Sequence, residues 1–142
     1  MLSETQLLNH IYQNADMAQN SLQHILNLSH SSAFTKAIQA QLEGFQKTLE
    51  TSKEMLKERG KHPDGARLST KMMADFSQRM NSLLDPSDSK LAEMVIQGNS
   101  MGITKLTRQI HDYDGEALSI LNFAKQQIRQ EQENIEQMKP FL

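Results

Sequence analysis

Glu131 is the first residue in this chain whose type and position could do chemistry. It falls in the apolar stripe of the last helical segment, and Asn134 follows three residues later. Side chains at i and i+3 of a helix project to the same side. Carboxylate-bridged di-metal sites in helical bundles take one Glu from each of two helices and Glu-x-x-His from each of the other two. Glu131-Gln132-Glu133-Asn134 has that spacing with Asn in place of His, and the chain contains no Glu-x-x-His. Further acids near the expected seams are Asp16 in the first segment and Glu43 in the second. Asn and Gln are poor partners for iron or manganese beside carboxylates. A degenerate metal site could therefore draw on Glu131, Asn134, Asp16 and Glu43. The expectation is no cofactor, with iron or manganese as the alternative. A carboxylate in a helix seam must be paired, hydrogen-bonded or protonated. Glu131 is thus a remnant ligand, a residue that a small helix rotation brings to solvent, or the partner of a neighbouring helix's Gln or Asn.

Other chemistries find less support. The five histidines are His10, His24, His30, His62 and His111. His10 and His24 share one side of a helix but lie about 21 Å apart along its axis, too far for one metal. All five read as surface residues. The nine methionines fall mostly on apolar stripes and read as core filling. Met72, Met73, Phe76 and Met80 are different: if exposed, they mark a partner or oligomer surface. No strand-to-helix elbow exists to strain a nucleophilic Ser, and no Gly-rich phosphate loop is present. Cys is absent, which removes thiol nucleophiles, thiolate metal sites and disulfides.

The elements that position these residues follow from composition and spacing. The chain has 142 residues, enough for one domain over 1–142. Leu occurs seventeen times, Gln fifteen times and Val once, a balance that excludes a sheet protein and predicts an all-α fold. The net charge of -2 comes without blocks of like charge, which argues against a nucleic-acid surface. No apolar run reaches the roughly 20 residues of a membrane span, and the first residues lack a signal peptide's pattern. A cytoplasmic location is the expectation.

Apolar residues at three-four spacing predict helices over about 3–28, 33–59, 66–84, 89–113 and 116–138. Ser3 and Gln6 form a capping-box pair. A serine in Ser29-His30-Ser31-Ser32 can cap the second helix, and Ser87 or Asp88 the fourth. Gly60 stands where a left-handed helix cap belongs. Leu91, Met94, Val95, Gly98, Met101, Gly102 and Leu106 are expected on one face of the fourth helix, with Gly98 and Gly102 making a smooth strip for a close backbone approach. In the last helix Leu118, Leu121, Ala124, Ile128, Ile135 and Met138 form the expected stripe.

Four long helices and one short one predict a ferritin-like four-helix bundle of two antiparallel hairpins. A long crossover carrying the extra short helix joins them. A five-helix up-down array is the alternative. The crossover's apolar residues must be buried on the bundle or on a second subunit.

Three stretches carry a resemblance. They are Ala92-Glu93-Met94-Val95-Ile96-Gln97-Gly98-Asn99-Ser100-Met101-Gly102-Ile103, Glu131 to Lys139, and Leu2-Ser3-Glu4-Thr5-Gln6-Leu7-Leu8. In these the chain resembles a group of small clostridial ferritin-like four-helix proteins, distantly similar to spore-coat proteins of the coat-F type. The resemblance implies the bundle fold, no activity and no catalytic residue. The absent Glu-x-x-His pairs depart from the ferritin and rubrerythrin pattern.

The function expected from these readings is non-enzymatic, by self-assembly or by binding a protein partner. A degenerate di-iron or di-manganese oxidoreductase or metal store is the alternative. A small-ligand carrier is a third option, and it requires a cavity between helices.

Overall fold

The computed structural model describes residues 1–28, 31–63, 66–83 and 86–142, with the backbone alone for 66–70, 72 and 73. Five α-helices account for most of these: α1 (Glu4–Leu28), α2 (Ser32–Glu58), α3 (Ala66–Asn81), α4 (Asp88–His111) and α5 (Leu118–Met138). A 3-10 turn, Lys139–Phe141, follows α5. The chain is all-helical among the described residues, apart from one isolated β-bridge between Leu2 and Tyr113. Among the described residues no helix is long and apolar enough to cross a membrane.

Local chemistry sets the helix ends. The Ser3 amide donates to Gln6 Oε1 at 2.9 Å, and the Gln6 amide donates to Ser3 Oγ at 3.3 Å. This reciprocal pair is the capping box. Ser31 Oγ accepts from the Phe34 amide, and Ser87 Oγ from the Lys90 amide. After α2, Gly60 adopts φ +69°, the left-handed region that favours glycine. Around it the Lys61 amide reaches the Leu56 carbonyl and the Gly60 amide reaches Lys57, which is the Schellman arrangement.

Contacts between helices give their directions. The Leu2 amide donates to the Asp112 carbonyl at 2.7 Å, and the Asp114 amide donates to the Leu2 carbonyl at 3.0 Å. Arg59 Nε lies 3.2 Å from Glu4 Oε2. One end of the molecule therefore gathers the start of α1, the end of α2 and the α4–α5 turn. At the other end the rings of Phe34 and Phe141 meet edge to face, with centroids 5.2 Å apart. α1 and α2 pack as one antiparallel pair, and α4 and α5 as another. α3 lies on α1 and runs in the same sense, returning the chain from the end of α2 to the start of α4. Its Met80 is 6 % exposed, and Phe76 and Leu83 pack against the same core. Met80 is thus buried within the chain, and Phe76 and Leu83 are half-buried. The side chains of Met72 and Met73 lie outside the described residues.

The interior is divided in two. One apolar cluster joins Ile25, Phe34, Ile38, Leu42, Leu91 and Met138 with their neighbours. The other joins Leu7, Leu8, Ile11, Leu56, Leu106, Ile120 and Ala124. Between them the inward positions of α2, α4 and α5 are mostly polar: Gln41, Thr48, Ser52, Asn99, Gln127, Glu131 and Asn134 are all buried.

Two expected faces are rotated. In α4 the buried residues are Leu91, Ala92, Val95, Asn99, Gly102 and Leu106, so Gly98 and Met101 turn outward and Asn99 turns in. In α5 they are Ile120, Ala124, Gln127, Glu131, Asn134 and Met138, and Leu118 is 70 % exposed in the first turn.

Candidate binding cleft

Glu131 sits in the polar layer and is 3 % exposed. Its position in α5 follows the regular four-three spacing of the buried stripe, so the helix cannot turn it outward without exposing Ile120, Ala124 and Met138. Asn14 Nδ2 of α1 donates to Glu131 Oε2 at 3.3 Å. On the α4 side the carboxyl group lies directly against Gly102, where a β-carbon would overlap both carboxyl oxygens. The glycine therefore makes room for a side chain, not for a second backbone. Gly98 has open space where its β-carbon would be.

Burial raises the Glu131 carboxyl from 4.5 to about 8, and the Asn14 hydrogen bond opposes this. Removing water from around a carboxylate disfavours the ion, and one neutral amide only partly replaces that water. The shift favours the protonated acid at neutral pH.

The rest of the layer is neutral. The Thr48 hydroxyl meets Gln127 Oε1 at 2.7 Å and Ser52 Oγ donates to the Thr48 carbonyl at 2.6 Å. Gln41 Nε2 donates to the Asn134 carbonyl, and Gln130 Nε2 to Asn134 Oδ1, both at 3.2 Å. Two inward atoms of the layer have no protein partner: Gln41 Oε1 and Asn99 Nδ2.

A cleft of about 510 Å³ opens beside this layer, between α1, α3 and α4. Leu22 and Ile25 of α1, Phe76 and Leu83 of α3, and Met94 and Val95 of α4 give it apolar walls. Asn14, Asn99 and Glu131 form its polar floor. Arg79 of α3 and Lys90 of α4 bring positive charge to it, and Asp75 of α3 brings negative charge. The cleft exists because α3 leans on α1, leaving a gap toward α4.

The chain matches no family model, no curated protein and no solved structure. The chemistry of the cleft is therefore read from its own residues.

The four candidate metal ligands are not brought together. Glu131 and Asn134 share a buried face, but the Asn134 amide is engaged by Gln130. Asp16 is half-buried and does not line the cleft, because it lies two residues beyond Asn14 and i, i+2 positions face different ways. Glu43 is exposed, one position past the inward Gln41–Leu42 pair. Among the described residues no three acids or histidines are grouped to hold a metal ion. The groups around Glu131 are amides and a glycine, and this donor set does not fit a di-metal centre.

The histidines stand apart from the cleft floor. His24 packs its ring against Phe76 at 6.3 Å, and His10 is half-buried, its proton weakened first by burial and then by Lys105. His62 and His111 are exposed, and His30 lies outside the described residues. Sequence reasoning passed over Asn14 and Asn99. The available signal was an Asn one helical turn before Gly102, on the face that meets Glu131.

Proposed function

We propose that the protein binds a small, mostly apolar molecule in the cleft between α1, α3 and α4 and performs no reaction on it. One observation carries this reading: a cleft of about 510 Å³ with apolar walls is lined at its base by the buried polar residues Asn99 and Glu131. Ligand sites of this kind combine apolar walls with a few converging polar groups. The two antiparallel pairs and the return of the chain along α1 support a ferritin-like four-helix bundle with α3 as its crossover. Kinship with the small clostridial proteins of that form is proposed on the resemblance of the three sequence stretches alone.

Self-assembly has less support. Met80 and Leu83 turn onto the bundle. The large exposed apolar side chains among the described residues are Met1, Met101, Leu118 and Leu142, at the chain ends, the start of α5 and the cleft margin. A metal store would need a second acid beside Glu131.

The test is a fluorescence titration with N-phenyl-1-naphthylamine, a neutral apolar probe. Saturable binding is expected at about one site per chain. Gly98→Phe should abolish it, because residue 98 lines the cleft and has open space at its β-carbon. Binding that Gly98→Phe leaves undiminished would refute the assignment to this cleft.

A further inference from the structure

We infer that the cleft takes an amphiphile with one carboxylate, its hydrocarbon part laid along the apolar walls and its charged head held at the end where Arg79 and Lys90 stand. The inference rests on the reading of the cleft as a small-molecule site and adds the class of ligand.

Helix directions place both cations at one end. α3 runs in the same sense as α1 and α4 runs against it, so the end of α3 and the start of α4 meet beside the end of α1. His24 of α1 packs on Phe76 of α3 at 6.3 Å. Arg79 follows about one turn later, level with the last residues of α1. At the other end of the lining the Glu131 carboxyl rests against Gly102 and accepts from Asn14. Lys90 and Gly102 both belong to α4, about 18 Å apart along its axis. The buried acid therefore stands far from the cations, and Leu22, Ile25, Phe76, Met94 and Val95 line the space between. Arg79 and Lys90 are exposed, so a head group bound there stays at the water's edge while the chain behind it is covered.

The charge balance selects the head. Among the described residues the charged side chains that line the cleft are Asp75, Arg79, Lys90 and Glu131. Lys90 Nζ is already held 3.1 Å from Glu93 Oε2. Arg79 has no ion pair among the described residues, although Asp75 lies one turn before it on α3. A guanidinium is a planar fork of donors that matches a carboxylate through two parallel hydrogen bonds. One free cation and one shared cation suit a single negative charge. A phosphate monoester carries nearly two, and Asp75 opposes the second. An ammonium head would meet like charge at this end. The whole chain carries a net charge of -2, so the positive end of the cleft is a local feature.

The experiment displaces bound N-phenyl-1-naphthylamine at pH 7 with octanoate and octanamide, which share a hydrocarbon chain and differ in the charge of the head. The readout is the ratio of their displacement constants, so that changes in the apolar walls cancel between variants. Arg79→Gln should shift the ratio against octanoate by about fivefold, the upper range for an exposed ion pair. Lys90→Gln should shift it the same way by about twofold, because Lys90 is shared with Glu93. Asp75→Asn should shift it toward octanoate by about twofold. Lys125→Gln removes one positive charge from an exposed position of α5 outside the cleft and should leave the ratio unchanged. A ratio that Arg79→Gln does not move, or that Lys125→Gln moves equally, would overturn the carboxylate selectivity alone, with the probe still excluded by Gly98→Phe. Failure of octanoate to displace a cleft-bound probe would also overturn it. Loss of the Gly98→Phe effect would instead remove the cleft reading, and this inference with it.

Discussion

Glu131→Gln should make the stability of this protein much less dependent on pH. In the folded chain burial lifts the Glu131 carboxyl to about 8, against 4.5 for the exposed group. Below pH 4.5 the group is protonated in both folded and unfolded chains and has no effect on the balance. Between 4.5 and 8 the unfolded chain releases a proton that the folded chain keeps. Stability then falls as pH rises, by about 1.4 kcal/mol per unit. Above 8 both states are ionised and the loss is complete. The accumulated loss is roughly 3 kcal/mol at pH 7 and roughly 5 kcal/mol above pH 8, a large share of the ~5–15 kcal/mol typical of a domain. Gln has nearly the same shape as the protonated acid and does not titrate. Every other titrating group is common to the two proteins and cancels in the difference. Urea unfolding followed by helical circular dichroism, at pH 5, 6, 7, 8 and 9, reads this difference directly. Glu131→Gln should gain on the parent by about 3 kcal/mol between pH 4.5 and 7 and level off above 8. A difference that stays flat from pH 5 to 8 would mean that Glu131 is ionised and hydrated in the folded protein, and the protonated floor of the cleft would be refuted.

Five further substitutions have measurable outcomes. Asn14→Leu removes the one hydrogen bond that favours the Glu131 ion, so the carboxyl should titrate above about 8, as seen by NMR of the labelled side chain. Gly98→Ala should stabilise the protein by about 1 kcal/mol through helix propensity. Gly102→Ala should gain less, because its methyl group displaces the Glu131 carboxyl; equal gains in urea midpoint would refute the close packing of Glu131 on α4. Thr48→Val should cost about 1–3 kcal/mol by stranding Gln127 Oε1 in the buried layer, and a neutral result would show that the oxygen finds another donor. Met80→Ala should cost about 2–5 kcal/mol and speed amide exchange in α3 ahead of α1, because Met80 anchors α3 in the core.

Much of this molecule is legible in local sequence. The capping box of Ser3 and Gln6, the Ser31 and Ser87 caps and the left-handed Gly60 each depend on residues within a turn of one another, so the helix boundaries can be read within a few positions. The breaks at Gly60–Pro63 and Asp112–Ala117 are local for the same reason. The spacing of the last helix also places Glu131 in a seam, and one of the readings it allowed, a partner amide on a neighbouring helix, is what Asn14 supplies.

What needed the tertiary structure is the rotation and placement of the helices. Met94, Val95, Gly98, Met101 and Gly102 offer two faces of α4 with similar apolar character. Which one turns inward is decided by packing against α5, which sets the Glu131 carboxyl against Gly102 and Asn99 inside. Thr48 with Gln127 and Asn14 with Glu131 are pairs 79 and 117 residues apart, and no local pattern relates their members. The cleft itself is a gap left where α3 rests on α1 short of α4. Helix ends follow from short-range hydrogen bonds between neighbours in sequence, whereas the buried polar floor and the space above it arise only when distant faces are packed together.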